Sequence, residues 1–464
     1  MRWATVAGGL IACATIDQSA LGAARARYGG VLRVAVGTRP AETDPSLADA
    51  PAEAAVRALT GSPLCRLDAA RRLRPLLASE IAWEAPLRLR VELRTNLEFS
   101  EGAALSAEDV LASWSRLSQA SSLSPYRALL FAVREERVHL PSPATARSLD
   151  LPLAFSWPDL AASLCHPALA IRPRTGSGQG VGPFRASSSN ELLASLTFPT
   201  GRPFVDKIVL GFLDQRAASR RLALHQADLA IGAASIKSGN WNPPKLYATY
   251  LTFRIERAGA DFRDAFEAAI DRGDLTRFFV PPPAQPMYSL LPQASMPAAT
   301  PPPRPPAPVH PSGRALTLLY DESFPEQRLI AQRLQLKLHD LKYAIALKPL
   351  PRSALRAAWA AGQFDLMLQS VLLPPAAGPA LAVALEIAGR HELLAAELPP
   401  IGALPDEAAR EQAALERARA LLPSLALIPL YAQGLRAATS ERVASLALDG
   451  HGLPALDDAF LLPE

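Results

Sequence analysis

Three stretches of this chain hold residue types that could do chemistry. "TGSGQGVGPF" (175–184) is glycine-rich in the manner of a phosphate cradle, "HELLAAE" (391–397) opens like a helical zinc motif, and Cys165 stands beside His166. Each fails on spacing. The glycine loop lacks the GK[ST] ending that brings a lysine and a hydroxyl to phosphates, and the dinucleotide fingerprint is not matched either. It reads as a structural turn. Two histidines on one helix face would need a second ring at the fourth following position, where Ala395 stands. Cys165 and His166 belong to no CxxC or CxxH pattern. The histidines are scattered, and no Ser-His-Asp or paired-carboxylate arrangement follows from spacing. The sequence therefore predicts no catalytic residue, no metal site and no cofactor.

Composition narrows the remaining classes. The chain has 464 residues, 49% apolar and 20% charged, with a net charge of +4. That length buries a sizeable core and normally divides into two or three domains. Basic residues are dispersed without a Lys/Arg block, so nucleic acid is not an expected partner. The 44 prolines require many stiff or irregular connections.

The start of the chain predicts export. "MRW" supplies a positive charge, and "ATVAGGLIACATI" (4–16) is an apolar run too short to span a bilayer but suited to a signal-peptide core. "LIAC" (10–13) is similar to a lipoprotein lipobox, which makes Cys13 a candidate lipid anchor; "ARA" (24–26) offers cleavage without one. Without Cys13, Cys65 and Cys165 remain as a pair that an oxidising compartment could bridge, or as two buried free thiols.

The elements that must position any site alternate between strand and helix. "LRLRVELR" (87–94) has period two, with Leu87, Leu89, Val91 and Leu93 expected on a core face. Gly102 marks a turn, Ser106 with Asp109 reads as a helix cap, and Val110, Leu111, Trp114 and Leu117 share a helical face. "GGVLRVAVG" (29–37), "VDKIVLGFL" (205–213), "RALTLLYD" (314–321), "FDLMLQSVLL" (364–373) and "ALIPLYAQ" (426–433) read as strands. Helices are expected at 215–226, 325–340 and 406–422, and at "FRDAFEAAIDR" after a capping Asp261, with Gly273 ending it. The proline-rich stretch 296–313 reads as a stiff surface connection. The class is α/β.

In register, these pieces resemble the family-5 extracellular solute-binding proteins, the peptide- and nickel-binding components of bacterial ABC importers. Phe99, Glu101, Gly102, Ser106, Ala107, Asp109, Val110, Trp114 and Arg116 fill the family's signature, with Asp44 and Pro45 as its "DP". "PLLASEIAWE", "GVGPF", "FVDKIVLGFLDQRAASRRLALHQADLAI", "YLTFRIERAGADFRDAFEAAIDRGDL" and "ALIPLYAQ" are similar to its further motifs in the same order. The resemblance implies a two-lobed, class II periplasmic-binding-protein-like fold with a hinge and an interlobe ligand cleft. Residues 1–27 would be the leader, 28–248 and 431–464 one lobe, and 249–430 the other.

The same resemblance implies a small-molecule or peptide ligand, an ABC permease as partner, and a place in the periplasm or at the outer face of a bacterial membrane. Peptide-binding relatives carry a Gly-Trp pair followed by an aspartate that meets the peptide amino terminus. Here Ser370 and Val371 replace the pair, and Leu373 or Pro374 stands where the acid belongs. The candidate cleft residues are Thr38 and Arg39 after the first strand, Trp241, Tyr247 and Tyr250 at the crossover, and Ser370 at the altered loop. The competing expectation is a divergent scaffold that senses a ligand or binds a protein.

Overall fold

The structure, a computed structural model, describes residues 26–37, 51–119, 122–135, 138, 147–174, 179–232, 243–292 and 315–463. Two six-stranded sheets dominate. In the first, Val31–Val36 lies parallel to both Leu229–Ile231 and Lys207–Phe212. Ala437–Thr439 closes one edge, while Glu191–Ala194 and Phe184–Ala186 extend the other. In the second, Leu316–Asp321 lies parallel to Ile345–Leu350 and Leu366–Leu372. Tyr247–Phe253 then runs antiparallel to both Leu366–Leu372 and Leu427–Gln433, with Ala284–Pro286 at the edge.

The three central strands of the second sheet are buried along their whole length. That is why their sequences are almost continuously apolar rather than alternating: both sheet faces are covered. Helix Pro325–Asp340 packs on one face through Ile330, Leu334 and Leu338. Helix Arg352–Ala360 brings Leu355 and Trp359 against Leu319 and Met367.

A third, three-stranded antiparallel sheet is built from Ala78–Ala85, Arg88–Leu93 and Ser148–Pro152. Leu89, Val91 and Leu93 are buried as the period-two pattern requires. Leu87 is not: it stands in the turn before the strand and is 48% exposed. The cap at Ser106 forms, its backbone N–H donating to Asp109 Oδ2 at 2.9 Å, and Val110, Trp114 and Leu117 of helix Ala107–Ser118 are buried. Asp261 occupies the cap position of helix Phe262–Ala269 but makes no side-chain cap bond. That helix also stops before Gly273, which lies in a separate turn held by Asp271.

This third sheet shares one apolar core with the chain's later half. Tyr126, Trp157, Leu160 and Leu164 pack in the same cluster as Leu373, Leu381, Leu385 and Leu398. At its centre is helix Ala377–Ile387, every residue of which is buried. Such a helix, apolar on every face but for Glu386, is stable only when covered on every side. Cys65 and Cys165 are bonded across this region, with Cα atoms 4.5 Å apart. Gly182, from the "GVGPF" turn, meets the backbone of residues 59 and 60; a Cβ there would sit 2.6 Å from the Leu59 carbonyl oxygen. Close approach to another chain segment, not phosphate binding, accounts for that glycine.

Candidate functional site

The chain passes between the two large sheets twice, after Ile231 and after Gln433. The two passages touch. Gly434 donates its N–H to the Pro283 carbonyl, and a Cβ on it would lie 2.7 Å from Pro243. Around them, the ends of the parallel strands converge. Val31–Val36 and Leu229–Ile231 finish at Gly37 and Gly232 in the first sheet, and Leu316–Asp321 and Leu366–Leu372 finish opposite them in the second. Open α/β sheets bind ligands outside such carboxyl ends.

A chain of buried polar side chains lines this junction. Thr249 and Ser370 are paired across neighbouring strands and their hydroxyls are 2.8 Å apart. Gln327 Nε2 donates to Ser370 Oγ at 3.0 Å, while its Oε1 accepts the Asp321 N–H at 2.9 Å. Asp321 accepts from Arg352 Nε at 2.8 Å, and the same guanidinium donates through Nη1 to Glu53. Glu53 sits on helix Pro51–Arg57, which packs with the first sheet. The Glu53–Arg352–Asp321 ion triad thus joins the two halves, with all three side chains buried. A guanidinium between two carboxylates satisfies more of its donors than one partner would.

Beside this chain, Tyr431 is buried and hydrogen-bonded to Thr249; burial, with Glu326 nearby, pushes its phenol well above the ordinary range. Arg436 lies on the return to the first sheet, its carbonyl accepting the Gly232 N–H. Burial pulls its guanidinium below the usual value, and the Glu326 carboxylate partly opposes that through space.

The sequence-predicted residues fall in different places. Thr38, Arg39, Trp241 and Cys13 lie outside the described residues, as does the proline-rich stretch 296–313. Tyr247 and Ser370 share one face of the second sheet: strand alternation puts Tyr247 with Thr249, and the pairing puts Thr249 with Ser370. Tyr250 is on the opposite face. Its hydroxyl donates to the Leu290 carbonyl at 2.8 Å, and its ring belongs to the apolar core around Tyr126. Leu373 and Pro374, at the position of the expected acid, are buried. Sequence reasoning missed Glu53, Asp321, Gln327, Arg352 and Arg436. Asp321 carried a usable signal, an acid at the last position of an apolar strand, while the others sit in segments whose pattern reads as ordinary helix or loop.

A separate cavity of ≈ 70 Å³ lies behind the junction, lined by the cystine, Tyr126, His166 and Leu372. The His166 Nδ1 accepts the Ala168 N–H, and its Nε2 lies 3.1 Å from the Leu372 carbonyl oxygen. The Leu372 N–H donates to the Tyr126 hydroxyl at 2.9 Å. Both backbone groups of Leu372 are therefore held by side chains from the first half. Among the described residues no cluster of histidine, cysteine and carboxylate side chains suits a metal ion. No described helix is long and apolar enough to cross a membrane.

The family model for bacterial extracellular solute-binding proteins, family 5 Middle, matches residues 72–380. The chain belongs to this family. No curated protein matches it by sequence. The solved structures it is similar to are two-lobed binding proteins. NikA from Staphylococcus aureus in complex with Ni(L-His)2 shares 16% identity at a TM-score of 0.69, covering 93% of this chain and 100% of its own. AppA from Bacillus subtilis, the oligopeptide-binding protein in complex with a nonapeptide, shares 15% at 0.72, covering 95% and 100%. The Escherichia coli murein tripeptide binding protein MppA shares 16% at 0.73, again covering 95% and 100%. At such identities the likeness establishes the two-lobed fold of this solute-binding protein and leaves its ligand to its own residues.

Proposed function

We propose that this solute-binding protein works outside the cytoplasm, capturing a small ligand, an oligopeptide or another compound, between its lobes and delivering it to an ABC importer permease. The supporting observation is the buried polar chain at the strand ends, closed across the two halves by Glu53, Arg352 and Asp321. A polar floor at the strand ends is what a ligand pocket needs, and an ion pair between halves gives the closed state a specific geometry. In this reading Tyr247 and Ser370 belong to the ligand-facing side and Tyr250 supports the hinge. Residues 28–248 with 431–464 move against 249–430.

Buried Leu373 and Pro374 leave no carboxylate at the position where peptide-binding relatives hold the ligand's amino terminus. An ammonium buried there unpaired would cost several kcal/mol, roughly. Ligand capture therefore runs through other groups. The same observation favours the second reading, a lobed sensor or protein-binding scaffold without a transport role. Native against denaturing mass spectrometry of gently purified exported protein decides between them. A discrete mass lost on denaturation is expected. No adduct, with no thermal shift from peptides, sugars or metal chelates, would leave the scaffold.

A further inference from the structure

Two buried imidazoles stand behind the junction, His166 and His451, edge to face with ring centroids 5.1 Å apart. His166 is fully engaged. Its Nδ1 accepts the Ala168 N–H, so its Nε2 carries the hydrogen and donates it to the Leu372 carbonyl. His451 is the reverse. It is 3% exposed, and among the described residues neither of its ring nitrogens has a hydrogen-bond partner. Its chain neighbours hold it in place. Gly450 and Gly452 are pressed against Leu67 and Pro244, where a Cβ would lie 2.7 and 2.9 Å from side-chain atoms. An imidazole buried with a bare donor and a bare acceptor costs stability that an apolar side chain would not. What an imidazole alone adds there is a group that takes up a proton near neutral pH once water reaches it.

The charges around the pair are few and matched. Arg66 binds Asp457 at 2.8 Å, and Arg57 lies 3.8 Å from Glu53. Asp449 Oδ1 accepts the His451 and Leu453 N–H groups. Among the described residues no carboxylate is bonded to either ring, so a proton on one would be unpaired and would face the other. Burial, and for His166 the neighbouring His451, holds both rings below their ordinary range.

We propose that this pair is an acid-operated latch: neutral, it pins the Leu372 end of the strand that carries Ser370, and in acid it frees that end and the captured ligand leaves. The ligand part of this rests on the solute-binding reading above. His166 comes from the first half and Leu372 from the second, so parting them admits water to both rings. Each freed ring takes one proton from solvent, His166 at Nδ1. The latch is therefore whole above 6.5 and weakens as pH falls below it. At pH 5 proton uptake favours the open form by about thirtyfold per ring, about a thousandfold for two. Asp449 opposes this. Burial lifts its carboxyl to about 6, so freeing it as well releases a proton and lowers the net gain to about a hundredfold.

The test follows hydrogen exchange of the segment 370–373 by mass spectrometry at pH 7 and pH 5, each rate divided by the intrinsic rate at that pH. Wild-type protection there is expected to fall at least about tenfold at pH 5, while that of Val31–Val36 stays within about threefold. The double variant His166→Gln with His451→Leu keeps an amide that can donate to the Leu372 carbonyl, and it is expected to lose no protection. Native mass spectrometry at the same two pH values should show the adduct leaving wild type at pH 5 and staying on the variant. Should the double variant fail to fold, His451→Leu alone is expected to show less than half the wild-type loss on a logarithmic scale. Unchanged wild-type protection, an equal loss at Val31–Val36, or an equal loss in the variants would overturn the latch. An adduct held equally at both pH values would overturn ligand release. No adduct at either pH would overturn capture, and release with it, while the exchange rates still decide the latch.

Discussion

Two contacts hold the halves of this protein together, and they are made of opposite materials. One is the Glu53–Arg352–Asp321 triad with the hydroxyl and amide chain behind it. The other is the apolar shoulder in which helix Ala377–Ile387 lies under Tyr126, Trp157 and Leu160. In the shoulder, buried polar groups are few and held by partners, as where the Tyr126 hydroxyl accepts the Leu372 N–H. Glu386 is buried there and meets Arg127 and His391, and Asp159 meets Arg410 at 3.2 Å. The apolar contact is non-directional and survives small displacements. The polar one is directional: it is satisfied in one geometry, and water replaces its partners when the halves part. The shoulder accordingly supplies adhesion, and the triad defines the closed register.

The sharpest way to break this comparison is at Arg352. Arg352→Ala leaves two buried carboxylates facing each other, and a loss of about 4 kcal/mol in urea unfolding is expected. Small-angle scattering should also show a more open molecule; an unchanged radius would mean the triad does not define closure. Leu381→Ala attacks the shoulder instead. Leu381 is fully buried, so a loss of about 3 kcal/mol is expected from transfer and cavity together, with no loss of compactness.

Acid should probe the cavity behind the junction, where Asp449 lines the wall and His451 packs edge-on against His166. Burial holds His451 down to about 3 from its ordinary 6.5 and lifts Asp449 to about 6 from 3.8. His451 is kept neutral, so its stabilising share is whole above 6.5 and is lost as pH falls through 6.5 towards 3. Asp449 has the opposite sign and adds stability as pH falls through 6 towards 3.8. His451→Leu removes the first contribution only. The stability lost between pH 6.5 and about 5 should shrink by about 2 kcal/mol, measured by denaturation at each pH. An unchanged acid limb would assign the titration to His166, which burial also depresses.

The smallest effect is expected at Thr249→Val. It removes one hydroxyl from the polar chain; Gln327 still serves Ser370 but the buried Tyr431 phenol loses Thr249, so a loss of about 1.5 kcal/mol is expected by the same denaturation. A loss as large as that of Arg352→Ala would mean the hydroxyl chain and the ion triad act as one unit.

Much of the architecture is local and therefore readable in the chain itself. Alternation specifies the strand at Arg88–Leu93, a capping pair specifies helix Ala107–Ser118, and the order of short motifs carries the family. These signals act over two to a dozen residues, within reach of backbone sterics and side-chain periodicity. What only the tertiary structure decided spans hundreds of residues. Cys65 meets Cys165, Glu53 meets Arg352, and among the described residues nothing accepts from Arg436 Nη1. Tyr250 and Ser370 both read as cleft residues, yet a one-residue difference in register sends them to opposite faces of the sheet. Each of these outcomes depends on which strand lies beside which and on what covers each face. Pattern along the chain specifies the elements; the pairing of distant elements specifies the site.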